Sequence, residues 1–140
     1  MIDLKKNFCL LFALVFVFAG VIQFSVSASD IMPLNNNTLA VNTNFVISET
    51  GEAITAVYFE GYPNITTGAT ITIKIEKRNL LFFWSDVVEE TIIVNDSYYV
   101  NELHYQLENT GTYRCTVVYT VSGTGGADDV LTFEDTKTYG

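Results

Sequence analysis

Beyond residue 38 the chain alternates apolar and polar side chains with a period of two. Ile71, Ile73 and Ile75 are interleaved with Thr70, Thr72, Lys74 and Glu76. Tyr113, Cys115, Val117, Tyr119 and Val121 are interleaved with Arg114, Thr116, Val118 and Thr120. Leu103, Tyr105 and Leu107 alternate with Glu102, His104 and Gln106, and Leu39, Val41, Thr43, Phe45 and Ile47 make a further series. Successive side chains of a strand point to opposite faces, so each series predicts a strand with one buried face. Weaker patterns over residues 53–60, 87–94 and 130–138 add three more strands. Turn formers separate them: Glu49-Thr50-Gly51, Gly61-Tyr62-Pro63-Asn64, Asn95-Asp96-Ser97, Glu108-Asn109-Thr110-Gly111 and Gly123-Thr124-Gly125-Gly126. No stretch after residue 30 has a 3.6 period. Seven to eight short strands in roughly 100 residues predict an all-β, antiparallel two-sheet sandwich of the Ig-like kind.

The first residues follow another pattern. Lys5 and Lys6 precede an unbroken apolar stretch from Phe8 to Ile22, and Val26-Ser27-Ala28 then offers small residues for a cut before Ser29. That is the layout of a secretory signal peptide, assigned to residues 1–28 and helical while it exists. Fifteen apolar residues rise only ~22 Å as a helix, short of a ~30 Å hydrocarbon core, which favours cleavage over a single N-terminal membrane anchor. Residues 29–38, with Asn35-Asn36-Asn37, read as a flexible lead-in, and residues 39–140 as the sandwich domain. The expected location is secreted, with membrane contact only through an uncleaved leader.

Charge narrows the partners. From residue 29 onward there are 15 acidic and 5 basic side chains, a formal charge of −10. Binding a phosphate backbone needs clustered Lys and Arg, so nucleic acid is excluded as a partner. Charged residues make up 16% and β-branched and aromatic residues are abundant, which excludes a disordered chain.

Asn109-Thr110-Gly111-Thr112-Tyr113-Arg114-Cys115 resembles the D-x-G-x-Y-x-C signature that opens strand F of immunoglobulin domains. Its physical content is the tyrosine corner: Gly111 permits the tight turn and the Tyr113 phenol bonds back to the preceding loop. Cys115 fits too, while Asn109 replaces the aspartate. No other cysteine follows the leader, so the inter-sheet disulfide of antibody domains is absent, and Cys115 reads as a small buried hydrophobe. Trp84 lies too close to Cys115 for that family's strand C tryptophan. The chain also resembles small secreted Ig-like sandwich proteins of Gram-positive, clostridia-like bacteria. Ile71 to Lys77, Trp84, Gly111-Thr112-Tyr113-Arg114 and Val121-Ser122-Gly123 carry that likeness. It implies fold and export and is silent on activity, because that group has no established biochemical role.

Candidate chemistry is sparse. His104 is the only histidine and falls on the polar face of its strand, with no serine or cysteine motif beside it. One cysteine and one histidine do not make a zinc site. Glu89 and Glu90 are adjacent on a strand and face opposite ways. Asp128 and Asp129 sit in a glycine-rich loop; such oxygen-rich loops hold calcium elsewhere, but the spacing matches no known calcium loop, and a solvated hairpin loop is the plainer reading. No cofactor, no metal and no catalytic group is expected.

One stretch breaks the alternation. Leu80-Leu81-Phe82-Phe83-Trp84 stands after Lys77-Arg78-Asn79, where a hairpin turn is normally polar. Two readings are open: a bulged strand start with Trp84 in the core, or an exposed patch on Leu81, Phe82 and Phe83 for a glycan, membrane-surface or protein partner, which Tyr98 and Tyr99 would extend. The sequence thus leads to a non-enzymatic binding module acting at or outside the envelope. Its expected contact surfaces are Leu81, Phe82 and Phe83 in the hairpin or Asp128 and Asp129 in the late loop. The alternative is a structural subunit that pairs by its edge strands.

Overall fold

Strand alternation in the sequence becomes seven strands in the computed structural model, which describes residues 35–140. They are β1 (Thr38–Ile47), β2 (Glu52–Gly61), β3 (Thr66–Arg78), β4 (Trp84–Val94), β5 (Tyr98–Gln106), β6 (Gly111–Gly123) and β7 (Asp129–Tyr139). The signal-peptide segment and residues 29–34 lie outside the described residues. Every pairing is antiparallel, giving a three-stranded sheet in the order β1-β2-β5 and a four-stranded sheet in the order β4-β3-β6-β7. This is the two-sheet Ig-like sandwich.

The core is built by the strictly alternating strands. Ala53, Thr55, Val57 and Phe59 of β2 and Phe45 of β1 are buried, as are Ile71, Ile73 and Ile75 of β3 and Cys115, Val117, Tyr119 and Val121 of β6. Burying each large apolar side chain contributes about 1.5–3 kcal/mol, so these four strands supply most of the stabilising area. The edge strands β4, β5 and β7 have at most one fully buried position each. One polar link crosses the interior: the Tyr119 hydroxyl, 2.6 Å from the Thr43 hydroxyl, donates to the Asn42 carbonyl at 2.9 Å, tying β6 to β1.

The tyrosine corner is present. Tyr113 donates its hydroxyl proton to the carbonyl of Asn109. Gly111 has φ +145°, a backbone conformation that favours glycine, while a Cβ there would meet only the movable end of the Lys77 side chain. Cys115 faces Thr55 of the other sheet, with Sγ 3.7 Å from Oγ1. Thr55 therefore occupies the place of the missing cysteine partner. Burial pushes the Cys115 thiol up to about 11, only partly offset by that contact with Thr55.

Residues 35–38 differ from the flexible lead-in expected of them. Asn37 and Thr38 are buried. The backbone N–H groups of Asn36 and Asn37 donate to the Asp129 carboxylate at 2.9 and 2.7 Å, and the Thr38 hydroxyl donates to it at 2.9 Å. The Asn37 side chain adds a donation to the Ala127 carbonyl and accepts from Gly125 N–H. A carboxylate more than ninety residues away along the chain holds the start of β1, which local sequence does not reveal.

Candidate functional site

The β3–β4 hairpin ends in a three-residue loop, Leu80-Leu81-Phe82. Asn79 N–H donates to the Phe83 carbonyl at 2.8 Å, and Phe82 N–H donates to the Asn79 carbonyl at 3.0 Å. The Asn79 side-chain oxygen accepts from Leu81 N–H at 2.9 Å and from Phe83 N–H at 3.0 Å. This is a turn followed by one left-handed residue, a standard connection for a three-residue hairpin. Glycine or asparagine normally fills that left-handed position, because a Cβ there costs about 1–2 kcal/mol. Here it is Phe82, at φ +65°.

All four apolar residues of the tip project into solvent. Leu80 is 98% exposed, Leu81 74%, Phe82 71% and Phe83 68%. Of the two readings of this stretch, the exposed one describes residues 80–83. Trp84 is half-buried rather than in the core. Its ring lies 4.5 Å from the Arg114 guanidinium, whose Nε and Nη2 both donate to Glu76 Oε2 at 3.0 and 2.6 Å. Lys74 adds an ion pair to Asp86 at 2.8 Å. Trp84, Arg114 and Glu76 thus brace the base of the hairpin on the outer side of the sheet, and the tip stands on a firm mount.

Cations flank the tip. The Arg78 guanidinium lies 4.5 Å from the centre of the Phe82 ring, and Lys77 Nζ lies 5.8 Å from that of Tyr113. Neither makes an ion pair among the described residues. Between the hairpin and the 110–112 turn opens a cleft of about 650 Å³, lined among others by Lys77, Arg78, Leu80, Phe82, Ser85 and Thr112.

The remaining sequence candidates are dispersed. β3 runs from Thr66, paired with Gly123, to Lys77, paired with Tyr113, so the 79–83 tip and the 123–129 loop stand at opposite ends of the sandwich. They cannot form one surface. Asp128 is exposed, but Asp129 is buried and its two oxygens are taken by the chain's own donors; it is a clamp rather than a contact residue. Burial raises the Asp129 pKa, but the donors from Asn37, Asn36 and Thr38 outweigh it and hold the carboxyl below its usual value. Tyr98 of β5 pairs with Glu60 of β2, also at the far end, so Tyr98 and Tyr99 do not extend the tip patch. His104 is exposed, with Nδ1 2.9 Å from Glu52. Among the described residues no three His, Cys, Asp or Glu side chains are grouped to hold a metal ion. Gly111, Tyr113 and Cys115 serve the fold. Sequence reasoning missed Thr55 and the Asp129 clamp, which act through partners distant along the chain, and Arg78, whose stacking on Phe82 depends on the exact closure of the turn.

No family model matches the chain, and no curated protein matches it. Among solved structures it is similar to the CARDB domain of a Pyrococcus furiosus protein, solved in complex with di-metal ions. The identity is 15% and the TM-score 0.44, over 73% of this chain and 94% of that one.

Proposed function

We propose that this protein is a secreted, non-enzymatic binding module that makes contact at or outside the bacterial envelope through the 79–83 hairpin tip. The observation that carries the reading is four consecutive large apolar side chains held in solvent on a braced turn, with Phe82 in a left-handed conformation that glycine would adopt more cheaply. Exposed apolar patches of this kind on a small domain mark interaction sites. A strained residue at the apex supports the same reading, since such strain persists where function requires it. Export rests on the leader pattern, and a bacterial source rests on the sequence resemblance.

The test is retention on washed envelopes of the producing cells, comparing residues 29–140 with the Phe82→Ser/Phe83→Ser variant. The wild type is expected to sediment with the envelopes and the variant to stay in solution, with matching circular dichroism. Equal retention of both removes the tip from the account.

Assembly through edge strands is the second reading. It is favoured by β5, an edge strand on which Tyr98, Val100 and Tyr105 are exposed at 52%, 59% and 40%. Self-association that rises with protein concentration and is lost in a Val100→Lys variant would support it.

A further inference from the structure

We infer that the partner of the hairpin tip is a lipid bilayer surface carrying anionic headgroups, an inference that rests on the contact role proposed above for the tip. Its starting point is where the cations lie. Only five Lys and Arg side chains follow residue 29: Lys74, Lys77, Arg78, Arg114 and Lys137. Lys74, Lys77 and Arg78 occupy the last five residues of β3. Arg114 is paired in register with Glu76, and Lys137 with Tyr113, which is itself opposite Lys77. Every cation of a strongly acidic domain is thus gathered at the tip end of the four-stranded sheet. The other end carries Glu60, Asp96, Asp128 and Asp129 and no Lys or Arg. Glu76, Asp86, Glu89, Glu134 and Asp135 share that stretch of the sheet, so the tip end is mixed in charge rather than positive, but it is the end at which cations stand beside the apolar residues.

Lys74, Arg114 and Lys137 are engaged with carboxylates. Lys77 and Arg78 are the two cations left to meet an external anion, and they adjoin Leu80 and Phe82 along the open cleft, with the hydroxyls of Ser85 and Thr112 on its walls. A bilayer interface offers the matching order: phosphate-bearing headgroups outside and acyl chains a few ångströms deeper. Leu80, Leu81, Phe82 and Phe83 would enter the acyl boundary while Lys77 and Arg78 stay at headgroup level, their stems lying along apolar surface. A convex tip with two leucines suits insertion; a glycan platform would be flat or concave and rich in hydrogen-bonding side chains. Glu49, in the β1–β2 turn, and Glu108, in the β5–β6 connection, also lie at this end. They would be repelled by the same headgroups, which makes the hairpin the leading point of contact.

The experiment is co-sedimentation of residues 29–140, free of the apolar leader, with vesicles of phosphatidylcholine alone or mixed equally with phosphatidylglycerol. Among the described residues the sandwich has a continuous core of its own and forms a compact unit, so this segment folds without the leader. Binding to the mixed vesicles is expected to exceed binding to phosphatidylcholine by about tenfold and to fall in high salt. Phe82→Ser/Phe83→Ser is expected to reduce binding to the mixed vesicles at least about tenfold. Lys77→Gln/Arg78→Gln is expected to reduce the mixed-vesicle binding and leave the weak phosphatidylcholine binding unchanged. Absence of binding to the mixed vesicles, or binding indifferent to Lys77→Gln/Arg78→Gln, overturns the inference. If vesicles fail while tip-dependent retention on envelopes persists, the partner is a wall polymer or a protein and the contact role stands. If the tip variants are retained on envelopes like the wild type, both fall.

Discussion

Phe82 holds the sharpest conflict between local preference and position. A phenylalanine at φ +65° forgoes about 1–2 kcal/mol relative to a residue free to adopt that conformation. Its ring is exposed, so burial does not repay the strain, and only Arg78 stacks on it. Phe82→Gly is therefore expected to raise stability by about 1 kcal/mol in a urea titration while weakening contact through the tip. A loss of stability on that change would mean that the ring supports the fold. At a second residue, Thr55 stands opposite Cys115 with 3.7 Å between side-chain ends. Thr55→Cys is expected to close an inter-sheet disulfide spanning 60 residues and to add about 4 kcal/mol on the chain-entropy account. Thiol titration checks it: the oxidised variant of residues 29–140, which lack Cys9, should show no reactive thiol after unfolding.

Among elements, the start of β1 and the start of β7 depend on each other through Asp129. Asp129→Asn would turn an acceptor of three hydrogen bonds into a group that also donates, at an expected cost of about 2–3 kcal/mol in thermal or urea unfolding. The pH dependence has a definite sign. The folded-state pKa is depressed, so the stabilisation is complete above the unfolded value near 3.9 and is lost as pH falls through the lower folded value. The gap between wild type and Asp129→Asn should accordingly shrink below about pH 4; a gap constant down to pH 2 would exclude the carboxylate as its source. Much of this scale was legible in the sequence. All seven strands follow from the period-two pattern; β3 and β6 were plain because each is covered on its inner face from end to end, whereas β2, a weaker pattern in the sequence, is covered just as fully. Gly111 and Tyr113 announced the corner. The pinning of residues 35–38 was not legible, because its donors and its acceptor lie 91 to 93 residues apart. The run at 80–84 was visible as an anomaly, but periodicity does not tell a buried apolar run from a protruding one. Its exposure follows from the hydrogen bonds of Asn79, which close the turn and leave the four side chains beyond the sheet.

At the scale of the molecule, the two sheets leave four edge strands, β1 and β5 on one and β4 and β7 on the other, and all the cations of the domain lie toward one end. β4 is protected against pairing: Val87 bulges out of register opposite Ile75 and Glu76, and Glu90, paired with the inward Ile73, sets a charge on the core side of an edge strand. The contact account thus expects a sedimentation coefficient independent of concentration, and a steady rise with concentration would favour edge-strand assembly instead. Both readings share one fold and differ in which surface is used. The most direct discrimination is the fraction of residues 29–140 retained on washed envelopes of the producing cells, measured for wild type and for Phe82→Ser/Phe83→Ser. The account expects retention of the wild type and its loss in the variant at unchanged secondary structure. Undiminished retention of the variant would contradict it.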